Sequence, residues 1–202
     1  MKLEITYRAI NTGEEEKACR LIMDCFHEFV APGYSQEGIT EFSKYVTPPS
    51  MKRRLAKNHS VILAMNRSEI IGVIEVRNYN HISLFFMKKQ YQNKGIGKKI
   101  NELAVNNCRQ NRPDVTGIEV HSSPYAVPIY EKLGFVKLGA ERIENGMRFA
   151  PMMLKLIMTE ILILSAGFRR LANWFPYGQP PPHGRPHPAA SSGHLACFFP
   201  EC

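Results

Sequence analysis

Residues 87–99, MKKQYQNKGIGKK, set two glycines one position apart among five lysines. Glycine is a poor helix former and neighbouring like charges repel, so this pattern needs something external to offset both costs. An anion held against the backbone would do so. The N–H groups that open a helix point outward and carry about half a unit of positive charge. A glycine there removes the Cβ that would keep a phosphate away, and Lys94, Lys98 and Lys99 add charge to neutralise it. Two familiar phosphate loops fail the test of spacing. The dinucleotide fingerprint needs a small residue three positions after the second glycine, and this chain has Ile100 there. The GxxxxGK[ST] loop fails because Gly95 and Gly97 stand too close and no Ser or Thr follows. The segment is either a polyphosphate cradle of another kind or a solvated basic helix start.

The elements that would position it are readable from periodicity. Residues 3–10, LEITYRAI, alternate as a strand, and 14–30 carry acids in a first turn and apolar residues at helical spacing. Shorter helical stretches follow at 35–46 and 49–58, separated by Pro48-Pro49. SVILAMN (60–66), EIIGVIEVR (69–77) and HISLFFM (81–87) read as strands, the first two joined by a tight turn. Residues 95–111 form a helix with Ile96, Ile100, Leu103, Ala104 and Cys108 on one stripe. A strand at 116–122, a short helix at 125–133 ending at Gly134, and an Asn145-Gly146 hairpin complete the pattern. Strands and helices mix without strict alternation, so a mostly antiparallel α/β sheet with one parallel crossover is expected.

Gln92-Asn93-Lys94-Gly95-Ile96-Gly97 resembles the (Q/R)xxGx(G/A) motif of the GNAT superfamily, the acetyl-CoA-dependent N-acyltransferases. SSPYAVPIYEKLGF (122–135) is similar to that family's second signature. The two lie about 30 residues apart, and the resemblance runs in order over about residues 3–156. It implies an α/β GNAT fold, a mixed and mostly antiparallel sheet whose central parallel strands splay apart, flanked by helices. It further implies attack of an amine on the thioester of acetyl-CoA, the cosubstrate, with no metal. The cofactor-binding residues it points to are Gln92, Asn93, Lys94, Gly95, Ile96, Gly97 and Lys98 at the diphosphate, with Phe86 and Met87 on the strand that pairs with pantetheine. The Met87 N–H would polarise the thioester carbonyl. Tyr130 occupies the family's tyrosine position and would donate to the leaving sulfur.

An incoming alkylamine is protonated at neutral pH, so a proton acceptor is required. Glu75, in mid-strand, and His81, opening the strand of the thioester contact, are the candidates. Their bland alternatives are a solvated sheet-face acid and a strand-start residue. Ser123 stands where many relatives carry Asn, with His121 and Ser122 as nearby substitutes, and Lys88-Lys89 replace an aliphatic-proline pair, adding charge near the phosphates. His27-Glu28 and residues 31–38 lie where the family forms a substrate lip.

Composition constrains the partners. The 202 residues are 44% hydrophobic, enough for one packed domain, and a formal charge of +8 favours anionic ligands without choosing among nucleic acid, membrane surface and polyphosphate. The lysines concentrate at the glycine turn and no aromatic-interleaved basic stripe appears, which argues against specific nucleic-acid binding. Cys19, Cys25, Cys108, Cys197 and Cys202 form an odd set with no CxxC pair, which argues against a disulfide framework or zinc ribbon and fits the cytoplasm. The N-terminus lacks a long apolar run, so no signal peptide is expected. The domain is expected to span 1–156. The tail at 157–202 holds seven of fourteen prolines and reads as a short amphipathic helix followed by a disordered Pro/Gly/His-rich segment, resembling read-through or frameshifted sequence. ILILSAGF (161–168) is too short to span a bilayer, though the tail helix could lie on a membrane surface. The partners implied are acetyl-CoA and an amine acceptor, with a homodimer left open. The rival to an enzyme is a GNAT-fold module that binds acyl-CoA as a sensor without turnover.

Overall fold

Each apolar periodicity in the first 156 residues finds a surface to cover. A computed structural model of the protein describes residues 3–156. The elements are β1 (Ile5–Ala9), α1 (Glu15–Phe29), α2 (Gln36–Tyr45), α3 (Pro48–Leu55), β2 (His59–Asn66), β3 (Glu69–Arg77) and β4 (His81–Met87). They continue with α4 (Ile96–Asn111), β5 (Gly117–Ser122), α5 (Val127–Lys132), β6 (Val136–Lys137), β7 (Arg142–Glu144) and β8 (Met147–Lys155). The prolines at 48 and 49 do not separate two helices, as the sequence suggested. Pro48 opens α3 behind the Thr47 cap, a position where its missing N–H and fixed φ cost nothing. The unexpected strand is β6, whose two residues are too few for any period to register.

The sheet runs β1-β2-β3-β4-β5-β8-β6, with β7 paired to β8. All pairs are antiparallel except β4 with β5. This is the mixed, mostly antiparallel sheet with one parallel pair that the resemblance implies. One face is apolar: Ile96, Ile100, Ala104 and Cys108 of α4 and Tyr130 of α5 join Ile74, Ile82, Ile118, Val120 and Met152 in one core. Each such aliphatic side chain contributes about 1.5–3 kcal/mol by leaving water. The opposite face lies under α1, where Ile22 and Phe26 are fully buried and Phe26 stacks on Phe42 of α2 with centroids 3.9 Å apart.

The final hairpin turns at Asn145 (φ 48°) and Gly146 (φ 73°), two successive left-handed residues of the kind that match strand twist. The turn also fastens α2. Ser35 donates to the Gly146 carbonyl from its N–H (3.3 Å) and its hydroxyl (3.2 Å), and Gly38, lacking a Cβ, sits against that carbonyl. The described residues all belong to one compact unit, Met1–Ile157. The expectations for the tail, Cys197 and Cys202 included, lie outside them. Among the described residues no helix is long and apolar enough to cross a membrane.

Candidate active site

The site begins where β4 and β5 part. They pair only at His81–Glu119 and Ile82–Val120, beyond which β4 continues to Met87 and β5 to Ser122. The cause is local. Glu75 of β3 faces Leu84 and Val76 faces Ile82, so Ser83 is an extra residue and the strand bulges there. A bulge bends its strand and increases twist, while β5 stays paired with β8 along all six residues. The two neighbours therefore diverge.

The divergence exposes particular amides. Lys88 donates from its N–H to the Ile71 carbonyl at 3.0 Å. In an antiparallel pair, alternate residues bond to the same neighbour, so Lys88, Phe86 and Leu84 give their amides to β3. Those of Phe85 and Met87 then turn toward the side that β5 has vacated. The Gln92 side-chain amide donates to the Met87 carbonyl at 3.0 Å, which ties the following turn to this edge. The Phe86 backbone thus belongs to β3, and its ring meets Phe42 on the α2 side at 6.0 Å. Phe85, which the motif did not single out, holds the second outward amide.

At the end of this edge lies the glycine turn. Asn93 (φ 57°) and Gly95 (φ 78°) are left-handed, an alternation that makes successive N–H groups converge. No side chain caps α4, and its first internal bond runs from the Lys99 N–H to the Gly95 carbonyl at 3.1 Å. The earlier amides of Ile96, Gly97 and Lys98 are not used by the helix. A Cβ on Gly95 would meet nothing within 4 Å, and one on Gly97 only the edge of the Phe85 ring at 3.7 Å. The space in front of these amides is open. The turn is anchored from behind by buried Ile96 and by Tyr91, whose hydroxyl donates to Glu69 (2.9 Å) and accepts from Asn66 (3.0 Å). The Lys94 ammonium lies 5.8 Å from the Tyr91 ring. Lys88 and Lys89 are not turned to this space as their position suggested: Lys88 pairs with Glu69 at 2.6 Å and Lys89 with Glu28 at 2.8 Å.

Tyr130 approaches the split from the apolar face. It is buried and packs edge-on against Phe85 (6.2 Å) and Phe135 (5.1 Å). Among the described residues its hydroxyl has no hydrogen-bond partner. Burial pushes the phenol well above its ordinary pKa, so it stays a protonated donor. Ser123 holds α5 with its carbonyl, which accepts from Ala126 (2.9 Å) and Val127 (3.2 Å). Its hydroxyl makes no hydrogen bond among the described residues.

The other face of the split is rich in ionisable groups. Glu75 is fully buried, and Arg54 of α3 grips both its oxygens at 2.7 and 3.0 Å, while His59 reaches it at 2.8 Å. Burial alone would raise its pKa, but these bonds hold it below the ordinary carboxylate range. The expectation that Glu75 takes the amine's proton is not what this geometry supports, because both oxygens already accept from cationic or imidazole partners. It is not a solvated acid either. Arg54 also donates to the Tyr45 carbonyl at 2.8 Å and lies 3.8 Å over its ring, and Tyr45 bonds to Ser83 at the bulge. A buried network therefore braces the point where the strands part.

His81 is buried on this face, its Nδ1 3.9 Å from the Glu119 carboxylate, and its ring is 5.0 Å from that of His121. Burial first, then neighbouring Arg77, lower the His81 pKa against the pull of Glu119. Toward the mouth, Phe29 stacks on Tyr125 at 5.1 Å and Lys89 lies 5.9 Å from the Phe29 ring, so α1 bridges the diverging ends of β4 and β5. His27, at the end of α1, meets the Phe26 ring at 5.5 Å and makes no contact with the split among the described residues. Sequence reasoning missed Arg54, His59, Tyr45 and the Phe29–Tyr125 bridge. A glutamate inside an apolar strand was the available hint that a cation must lie near it, but several basic residues in 52–59 could have supplied one.

The arrangement can bind a diphosphate on backbone amides, pair an amide-bearing chain against one strand edge, polarise a carbonyl and hydrogen-bond a leaving sulfur. Among the described residues no group of His, Cys, Asp or Glu is placed to hold a metal.

The acetyltransferase (GNAT) domain profile matches residues 30–156. The chain is similar in structure to a GCN5-related N-acetyltransferase from Rhodopseudomonas palustris (TM-score 0.65, 15% identity, covering 77% of this chain and 99% of that one). It is also similar to the PaiA N-acetyltransferase from Thermoplasma acidophilum in complex with coenzyme A (0.64, 17%, 76% and 100%). A third is an acetyltransferase of the GNAT family from Staphylococcus aureus (0.57, 19%, 75% and 100%). At these identities the likeness is one of fold. No curated protein sequence matches the chain.

Proposed function

The chain belongs to the acetyltransferase (GNAT) family, and from that premise we propose that it transfers acetyl from acetyl-CoA to a primary amine of a small molecule or peptide by direct attack in a ternary complex. The observation that carries this reading is the conjunction at one strand end. The outward amides of Phe85 and Met87 lead straight into an uncapped helix start with two glycines. Bound acetyl-CoA would supply an activated acyl thioester. The amides of Ile96, Gly97 and Lys98 would hold its diphosphate, with Asn93 and Gly95 shaping the turn and Lys94 and Lys98 adding charge. The edge of β4 would take pantetheine as an added strand. The Met87 N–H, or that of Phe85, would meet the thioester carbonyl as charge develops on its oxygen. Tyr130 would donate to the departing sulfur; a desolvated thiolate is itself a stronger base than in water, which narrows the gap to a buried phenol. Gln92 positions the edge through the Met87 carbonyl, and Ser123 would offer its hydroxyl to pantetheine from the β5 side. Among the described residues the three cysteines are buried free thiols, which suits a reducing cytoplasm in which acetyl-CoA is made and used.

The test is a CoA-release screen over polyamines, aminoglycosides, amino acids and peptide N-termini, run beside thermal shift with acetyl-CoA. Stabilisation together with amine-dependent CoA release is expected. Stabilisation without release from any amine would make the chain an acyl-CoA-binding module, and neither would remove the acyl-CoA reading.

A further inference from the structure

The Tyr130 side of the split is equipped for the sulfur, and the opposite side must deal with the amine's proton. Ile118 and Val120 of β5 are buried beneath α4 and α5, so the alternate residues Glu119 and His121 point to the other face. Val120 is the last β5 residue paired with β4. His121 is therefore the first side chain on the opened stretch of β5, and it lies level with the bulge at Ser83. It is half-buried, and its ring is held flat against Phe149 of β8, with centroids 4.2 Å apart and planes at 16°. Behind it stands the His81 ring, at 5.0 Å and nearly perpendicular (84°), and behind His81 the Glu119 carboxylate at 3.9 Å, whose side chain is 40% exposed. Imidazole, imidazole and carboxylate thus run from the vertex of the split to the surface.

We propose that His121 is the catalytic residue that takes the proton from the attacking amine, with His81, backed by Glu119, as a positioning residue against its ring. This rests on the acetyl-transfer reading above. The lone pair of a neutral amine forms the N–C bond, and the carbonyl π pair moves to oxygen, facing the β4 amides. That pair returns as the C–S bond breaks with its electrons on sulfur. One N–H proton passes to His121 and from its half-buried ring to water; sulfur receives a proton from the Tyr130 hydroxyl, which recovers one from solvent. The products are the amide and the free thiol.

The surroundings suit a group that accepts a proton briefly. His121 faces His81 from β4, Arg77 from β3, Arg142 from β7 and Glu119 from its own strand, with Phe149 of β8 beneath it. Burial first, then His81 and the arginines, push its pKa down to about 4, so the ring is neutral across the physiological range and does not retain the proton. Such a base cannot deprotonate an alkylammonium near pKa 10.4, so the acceptor must arrive neutral and kcat/KM should climb with pH toward the pKa of the amine.

Three variants test this: His121→Phe, which keeps a ring against Phe149, His121→Ala, and Glu119→Gln. With wild-type protein active on an amine found by CoA release, both His121 variants should bind acetyl-CoA unchanged by thermal shift, and kcat should fall on the order of 10²-fold. Added imidazole should restore part of the activity to His121→Ala, where space has been opened, and none to His121→Phe. Glu119→Gln should slow turnover only a few-fold. Turnover by His121→Phe within a few-fold of wild type, or failure of imidazole to rescue His121→Ala, would overturn the assignment while leaving the acetyltransferase reading standing. Wild-type protein that releases no CoA would remove both.

Discussion

The two faces of the sheet at the split are built on opposite principles. Under α4 and α5 the packing is largely apolar, and Tyr130 brings its hydroxyl to the split from that side. Under α1, α2 and α3 the same strands present Glu75, His81, Glu119 and His121, and Arg54 of α3 and His59 of β2 meet Glu75. Apolar packing has no direction and tolerates exchange, whereas a buried charge must be met at hydrogen-bond distance or it unfolds its surroundings. The aliphatic face therefore supplies stiffness, and the charged face fixes the geometry of the bulge from which the strands diverge.

The largest effect that would break this contrast is expected at Glu75. Glu75→Ala leaves Arg54 buried without its carboxylate and should destabilise the fold by about 3–5 kcal/mol, measured by urea unfolding. Ile100→Ala, a cavity on the aliphatic face, should cost about 2–5 kcal/mol but leave the acid limb of stability unchanged. The pH dependence separates the two. The folded pKa of Glu75 is depressed, so its contribution is present above the unfolded value, about 4.3, and is lost as pH falls through the lower folded value. Glu75→Gln should flatten stability in that acid window. A cost for Glu75→Ala no larger than that of a surface substitution would show that the network does not brace the bulge.

Next in size is Gly95→Asp. The residue sits at φ 78°, which an L side chain adopts with strain, and a carboxylate would stand before the amides. Affinity for acetyl-CoA should fall more than about 100-fold by isothermal titration, roughly 2.7 kcal/mol or more. Tyr130→Phe should then lower kcat on the order of 10-fold or more and leave acetyl-CoA affinity intact, since the ring and its packing on Phe85 and Phe135 survive. Unchanged turnover would take Tyr130 out of the chemistry. The smallest effect is expected at Lys88→Ala. Its ammonium pairs with Glu69 on the surface, so both stability and acetyl-CoA affinity should move by well under about 1 kcal/mol.

This contrast also explains what could be read from residues alone. The aliphatic face is written in local periods, and β4 at 81–87 and α4 at 96–111 follow them closely. The glycine turn is legible because its constraint is local: a left-handed Gly95 and an open Gly97 are demanded by one short stretch. The charged face is a product of tertiary pairing. Nothing near Glu75 in sequence says that Arg54, 21 residues earlier, will reach its carboxylate, or that His59 on the neighbouring strand will share it. The bulge at Ser83 is equally silent, because one extra residue in an apolar strand leaves the alternation readable on either side. The same blindness hid the outward amide of Phe85, which depends on the hydrogen-bond phase between β3 and β4 rather than on residue type.

The central claim is that the diverging strand edge and the uncapped helix start form one continuous binding track. A crystal structure of the protein with coenzyme A tests it most directly. The diphosphate should lie against the amides of Ile96, Gly97 and Lys98, and pantetheine should pair with the N–H groups of Phe85 and Met87, with its sulfur within reach of the Tyr130 hydroxyl. Coenzyme A bound elsewhere, or a split closed by the protein's own side chains, would contradict the account.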